Sequence, residues 1–146
     1  MRYAKSKMEA EDILQEGFFK ILRDLRQFSG DGDVKWWMRK VMVNSALMHI
    51  RKYRKIEFSE INEKIIEDPE LVENSFLQSE RASTVVRIIQ KLEDPYQTVF
   101  NLRAIEGYSF KEIAEKLDGN EATLRSHYMR ARKKLQTILN QALTDF

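Results

Sequence analysis

Residues 109–135 read SFKEIAEKLDGNEATLRSHYMRARKKL, and this stretch decides the fold class. Ser109 followed three residues later by Glu112 is a capping box, in which each residue's side chain accepts a hydrogen bond from the other's backbone N–H. It predicts a short helix over 110–117. Asp118-Gly119-Asn120 is turn chemistry: Gly119 ends that helix and Asn120 caps the next, which runs to about residue 142. Ile113, Ala114 and Leu117 share one face, and Leu124 meets them across the turn. Two helices set at a steep angle about such a turn are a helix-turn-helix. The second helix carries Arg125, Arg130, Arg132, Lys133 and Lys134, a charge suited to the DNA major groove with the first turns at base edges. Arg125 stands near the helix start, where bidentate contact with guanine is possible, and the later basic residues fall nearer the phosphates. A helical hairpin with a solvated basic face is the alternative reading of the same spacing.

Upstream of this stretch, Gly107 stops a helix that starts at Asp94-Pro95, where Asp can cap and Pro can take the first helical position. A further helix covers about 79–92. Residues 57–78 are acidic, contain Pro69 and show weak periodicity, which makes them a linker. Charge is segregated in blocks: residues 1–58 carry a net +5, residues 59–80 a net −6 and residues 81–146 a net +3. Such segregation points to separate partners for the separate blocks.

Two helices precede the linker. In the first, about 3–27, Leu14, Phe18, Ile21, Leu22 and Leu25 recur at three- and four-residue steps and form the expected core face. Gly17 costs that helix about 1 kcal/mol relative to Ala and leaves room for a close helix neighbour. AEDILQEGF, residues 10–18, carries Glu11, Asp12, Gln15 and Glu16, a polar acidic face suited to a protein partner. The loop SGDGD, residues 29–33, leads to a helix over about 34–55 that holds seven basic residues and no acidic one. Its aromatics and bases interleave in KWWMRKVMVNSALMHIRKYRK, the pattern of stacking platform plus phosphate contacts that serves nucleic acid. The bland alternative puts Trp36, Trp37, Val41, Leu47 and Ile50 in the core and leaves the charges solvated.

The whole chain has 146 residues, 33% of them charged, with 5 Gly, 2 Pro and no Cys. This fits a helical protein of one or two domains and excludes disulfides and thiolate zinc sites. No apolar run is long enough to span a membrane, and the N-terminus lacks the apolar segment of a signal peptide, so an intracellular protein is expected. His49 and His127 have no metal-ligand neighbours, and no glycine-rich phosphate loop or nucleophile–base pair occurs. No enzyme, cofactor or metal is expected.

In order, these motifs resemble bacterial RNA polymerase sigma factors of the extracytoplasmic function type. AEDILQEGF looks like that family's core-binding helix, FSGDGDVKWWMRKVMVNSALMHIRK like its promoter-melting segment, and the helix-turn-helix like its reader of the −35 element. The resemblance implies an all-α fold of two small helical domains, 1–57 and 79–146, joined by the acidic linker 58–78. It implies core polymerase contacts at Asp12, Gln15 and Glu16. For −10 binding and melting it implies Ser29, Gly30, Asp31, Trp36, Trp37, Lys40, Asn44, Arg51 and Lys52. For the −35 element it implies Arg125, Ser126, His127, Met129, Arg130 and Arg132. Core RNA polymerase, promoter DNA and an anti-sigma factor are the implied partners, in the cytoplasm and without membrane insertion.

The chain departs from the family pattern at Met48, where an acidic residue is usual, and at Gly119, where an apolar one is. Only nine residues precede AEDILQEGF, where the family has one or two helices. A lone helix pair buries little apolar surface, so the N-terminal domain is expected to be loose or to associate through an exposed apolar face. The rival readings are a stand-alone helix-turn-helix regulator that binds duplex DNA as a dimer, and a helical adaptor with no nucleic-acid role.

Overall fold

The computed structural model describes residues 2–54 and 79–144, and the acidic linker expected over 58–78 lies outside them. Among the described residues there are six α-helices and no strand, so the fold is all-α as the sequence predicts. The chain divides into two compact units, the first essentially Tyr3–Ile56 and the second Glu57–Phe146.

The first unit is a pair of helices, α1 (Lys7–Asp24) and α2 (Val34–Arg54). The Ser6 hydroxyl caps α1 by accepting from the Glu9 N–H at 3.1 Å, which fixes the helix start. A 3₁₀ turn, Leu25–Gln27, closes it. The following loop bends at Gly30 and Gly32, whose φ angles of 77° and 108° suit glycine. The α1–α2 seam buries Ile13, Gly17 and Ile21 against Val43, Ala46, Leu47 and Ile50. Gly17 acts as expected: a Cβ there would overlap the Met42 sulfur, so the missing side chain permits the close approach.

The expected core face of α1 needs correcting. Of its five residues only Ile21 is buried, and Leu14, Phe18, Leu22 and Leu25 are between 39% and 69% exposed. α1 is apolar on two adjacent faces, and the face that carries Gly17 is the one that meets α2.

The second unit contains α3 (Ser79–Gln90), α4 (Asp94–Phe100), α5 (Phe110–Leu117) and α6 (Glu121–Thr144). Asp94 is not the N-cap; Glu93 holds that position, and Asp94 and Pro95 form the first helical turn. α4 continues into a π-helical turn, Asn101–Ile105, before Gly107 ends it with φ 79°. The capping box forms as read: Ser109 Oγ accepts from the Glu112 N–H at 3.2 Å, and the Glu112 carboxylate from the Ser109 N–H at 2.7 Å.

The left-handed residue that ends α5 is Asp118, at φ 52°, rather than Gly119, whose N–H donates to the Ala114 carbonyl. Aspartate tolerates this region better than most side chains. Asn120 Oδ1 then caps α6 through the Ala122 N–H at 2.8 Å. Ile113, Leu117 and Leu124 close the helix-turn-helix core, with Val99 and Leu102 of the preceding helix also buried. Ile89 and Leu92 pack with Ala131 and Leu135 of α6.

Candidate nucleic-acid interface

In the first unit the candidate functional side chains lie on α1, on the loop that follows it and on α2. Asp12, Gln15 and Glu16 are exposed on α1 and line one open groove with Phe19, Lys20 and Tyr53. The three residues implied for polymerase contact are therefore neighbours on one accessible surface. Among the described residues no group of acidic or histidine side chains has the arrangement of a metal site.

The loop Ser29, Gly30 and Asp31 is exposed, and Asp33 at its end accepts from the Lys35 N–H at 2.9 Å, starting α2. Lys40, Asn44 and Arg51 follow at four- and seven-residue steps along α2, with Lys52 exposed beside Arg51. The two tryptophans differ. Trp37 is half-buried, with its ring 5.4 Å from that of Phe28. Trp36 is 58% exposed, with Lys40 Nζ 3.6 Å above its ring. An exposed indole beside a cation is what a base can stack on while the charge meets the backbone. Leu47 and Ile50 are core, as the bland reading has it, whereas Trp36 is not.

The ends of this helix pair are clasped together through Glu9. Its carboxylate accepts from Arg54 Nη2 at 2.5 Å, from Arg54 Nε at 3.0 Å and from the Lys5 N–H at 2.6 Å. Arg54 also donates to the Tyr3 carbonyl at 2.7 Å, and His49 Nε2 lies 3.5 Å from Glu9. Burial pushes the Glu9 pKa up, but the Lys5 N–H and Arg54 outweigh it and hold the carboxyl below its ordinary value. Met48, where an acidic residue is usual, is exposed, with Lys20 Nζ 3.5 Å from its sulfur.

In the second unit Arg125 is exposed in the second turn of α6, and its guanidinium lies 3.5 Å from Glu121. Ser126, His127, Met129, Arg130 and Arg132 are half-buried. Arg130 Nη1 lies 3.4 Å from the Tyr96 hydroxyl, and the His127 ring stands edge-on to Tyr96 at 5.3 Å. Burial first, and the Arg130 charge second, lower the His127 pKa, so the imidazole is neutral at pH 7. Lys134 pairs with Glu93. Of the implied −35 set, Arg125 is thus the side chain most open to a ligand. The sequence reading missed Arg103 and Phe110: the Arg103 Cζ lies 5.3 Å and the Arg125 Cζ 4.6 Å from the Phe110 ring centroid. An aromatic directly after a capping serine, on the rim of a helix-turn-helix, was the available signal.

This division into two units matches two family models. Residues 1–56 match Sigma-70 region 2 and residues 83–135 match Sigma-70 region 4. The chain is 31% identical to the RNA polymerase sigma-H factor of Pseudomonas aeruginosa, over 97% of this chain and 81% of that protein. The chain belongs to the sigma-70 family of RNA polymerase sigma factors. It is also 30% identical to the ECF RNA polymerase sigma-E factor of Escherichia coli (strain K12), over 87% of this chain and 72% of that protein. These relatives place it in the extracytoplasmic function group.

A solved sigma factor, RpoE of Bartonella quintana in complex with the anti-sigma factor NepR, shares the fold. Its TM-score is 0.55 at 19% identity, over 95% of this chain and 86% of that one. As a sigma factor, the chain directs transcription initiation by RNA polymerase at promoter DNA. Among the described residues no helix is long and apolar enough to cross a membrane.

Proposed function

We propose that the two units divide the work of a cytoplasmic, non-enzymatic sigma factor along the boundaries 1–57 and 79–146, with the acidic segment 58–78 between them. In this reading Asp12, Gln15 and Glu16 hold core polymerase. Ser29 to Asp31 receive a base of the −10 element, and Trp36, Trp37, Lys40, Asn44, Arg51 and Lys52 open the duplex and hold the strand. The second unit holds the −35 element as duplex through α6, with Arg125 at a base edge and Arg130, Arg132 and their neighbours toward the backbone. An anti-sigma protein controls the chain, as the complex of the Bartonella relative suggests.

The observation that carries this reading is the exposed Trp36, with Lys40 over its ring, on a helix that lacks acidic residues. Unstacking a base costs a few kcal/mol, and an exposed aromatic face with an adjacent cation offsets part of that cost. A stand-alone duplex reader has no use for such a pair. Run-off transcription with purified core polymerase on pooled promoter fragments tests it. Transcripts that depend on this chain and start downstream of paired −35 and −10 elements are expected. Duplex binding with no transcripts would leave a stand-alone regulator.

A further inference from the structure

The Phe110 ring occupies an unusual position for a half-buried apolar side chain. Its edge contacts are fixed by packing: it meets the Tyr128 ring of α6 at 5.7 Å in a T-shaped arrangement, and Tyr128 stacks on Phe100 of α4 at 5.9 Å. The ring is therefore anchored on α6, through a Tyr128 that is itself stacked on α4. It also draws together two like charges, the guanidiniums of Arg125 at 4.6 Å and Arg103 at 5.3 Å. Both arginines are exposed. Arg103 is tethered further by donating from Nη1 to the Tyr108 carbonyl at 3.2 Å, and Arg125 by Glu121.

A leucine could fill the same rim position, but it would offer the two guanidiniums no ring face. The electron-rich face attracts each guanidinium, and the arrangement leaves positive charge concentrated at the start of the recognition helix. Stacking occupies the flat face of a guanidinium, whereas its hydrogen-bond donors lie in the plane and point from the edge. Arg125 beside the ring can therefore turn its in-plane donors to guanine O6 and N7 by exchanging its exposed Glu121 contact for the base, and the Phe110 contact already restricts its rotamers.

We propose that Phe110 is a positioning residue for DNA reading: it holds Arg125 in the orientation that selects a base pair of the −35 element, and holds Arg103 as an added phosphate contact. This rests on the reading of α6 as the −35 helix. The test is a binding selection on promoter fragments with a randomised −35 element, using the full chain with core polymerase. Phe110→Leu and Phe110→Met keep an apolar side chain and remove the ring; whichever melts with wild type is compared with Arg125→Ala, Arg103→Ala and Phe110→Trp.

Loss of the ring is expected to relax preference at the same base pair as Arg125→Ala, by roughly two- to five-fold, the size of an exposed cation–π contact. Phe110→Trp should keep that preference. Arg103→Ala should weaken all sequences alike and lower the salt dependence by about one phosphate contact. Uniform weakening with base preferences intact in the Phe110 variants, or equal loss in Phe110→Trp, would overturn the positioning role while leaving the −35 reading standing. A wild-type selection with no −35 preference would overturn both.

Discussion

The two units of this sigma factor solve the same packing problem to different degrees. In the C-terminal unit, α4, α5 and α6 converge, so that Val99, Leu102, Ile113 and Leu124 are wholly buried, and side-chain caps fix the starts of α5 and α6. In the N-terminal unit α1 and α2 meet along one seam, and a second apolar row of α1, Leu14, Phe18, Leu22 and Leu25, faces outward. A helix with a single partner can cover only one stripe of its surface. The unit proposed to read duplex DNA is thus built on a closed core, whereas the unit proposed to meet polymerase and the melted strand exposes both aromatic and aliphatic surface. Large exposed apolar surface of this kind marks an interaction face.

The sharpest way to break this comparison is a matched pair of cavities. Ile13→Ala and Leu124→Ala each remove a wholly buried side chain, at a cost of about 2–5 kcal/mol. A lone helix seam holds little more than that in total. Ile13→Ala is therefore expected to unfold the N-terminal unit and spare the other, while Leu124→Ala loosens the helix-turn-helix without emptying its population. Hydrogen exchange on the full chain separates the two. Equal residual protection in both units would show that the single seam is no weaker than the closed core.

Next in size is the Glu9 clasp. Arg54→Ala leaves a largely buried carboxylate without its charged donor, a loss of about 2 kcal/mol confined to the N-terminal unit. The pH dependence follows from the lowered Glu9 pKa. The clasp's contribution is fully present above the ordinary value of 4.5 and is lost as pH falls through the lower folded value. Acid melting followed by exchange should show α1 and α2 losing protection first, and Glu9→Gln should flatten that dependence. An acid transition in the N-terminal unit that is unchanged by Glu9→Gln would assign it to other carboxylates.

The sequence was most legible where the determinants are local. The capping box at Ser109 and Glu112 and the cap at Asn120 involve neighbours in the chain, and each forms as read. The all-α class and the helix-turn-helix followed from them. Which face of α1 turns inward was not legible, because Ile13-Gly17-Ile21 and Leu14-Phe18-Leu22 both recur at four-residue steps; Gly17 was the clue, as the point of closest approach. The left-handed residue fell on Asp118 although glycine follows it, since the turn geometry rather than composition decides the position. The π-helical turn at Asn101–Ile105 and the Arg103–Phe110–Arg125 cluster depend on contacts between helices, which no local pattern encodes.

A smaller effect tests those local determinants. Ser109→Ala removes the acceptor for the Glu112 N–H and should cost about 1 kcal/mol, felt by α5 and the turn alone. A calorimetric melt that shows the loss in the C-terminal transition supports this assignment; an undisturbed C-terminal transition would mean that tertiary packing of Ile113 and Leu117 makes the cap redundant.

The smallest stability effect carries the largest functional consequence. Trp36 is mostly exposed, and its replacement by Ala should change folding stability by no more than about 0.5 kcal/mol. Trp37, packed on Phe28, should cost more, so its loss of function would be ambiguous where that of Trp36 is not. With core polymerase, Trp36→Ala is expected to bind promoter duplex normally and to leave the −10 region closed to permanganate. Lys40→Ala should show the same defect more weakly, because it removes the cation and leaves the stacking face. Normal melting with Trp36→Ala would shift strand opening to Trp37, and the exposed aromatic would then belong with Leu14, Phe18 and Leu22 to a surface that meets protein.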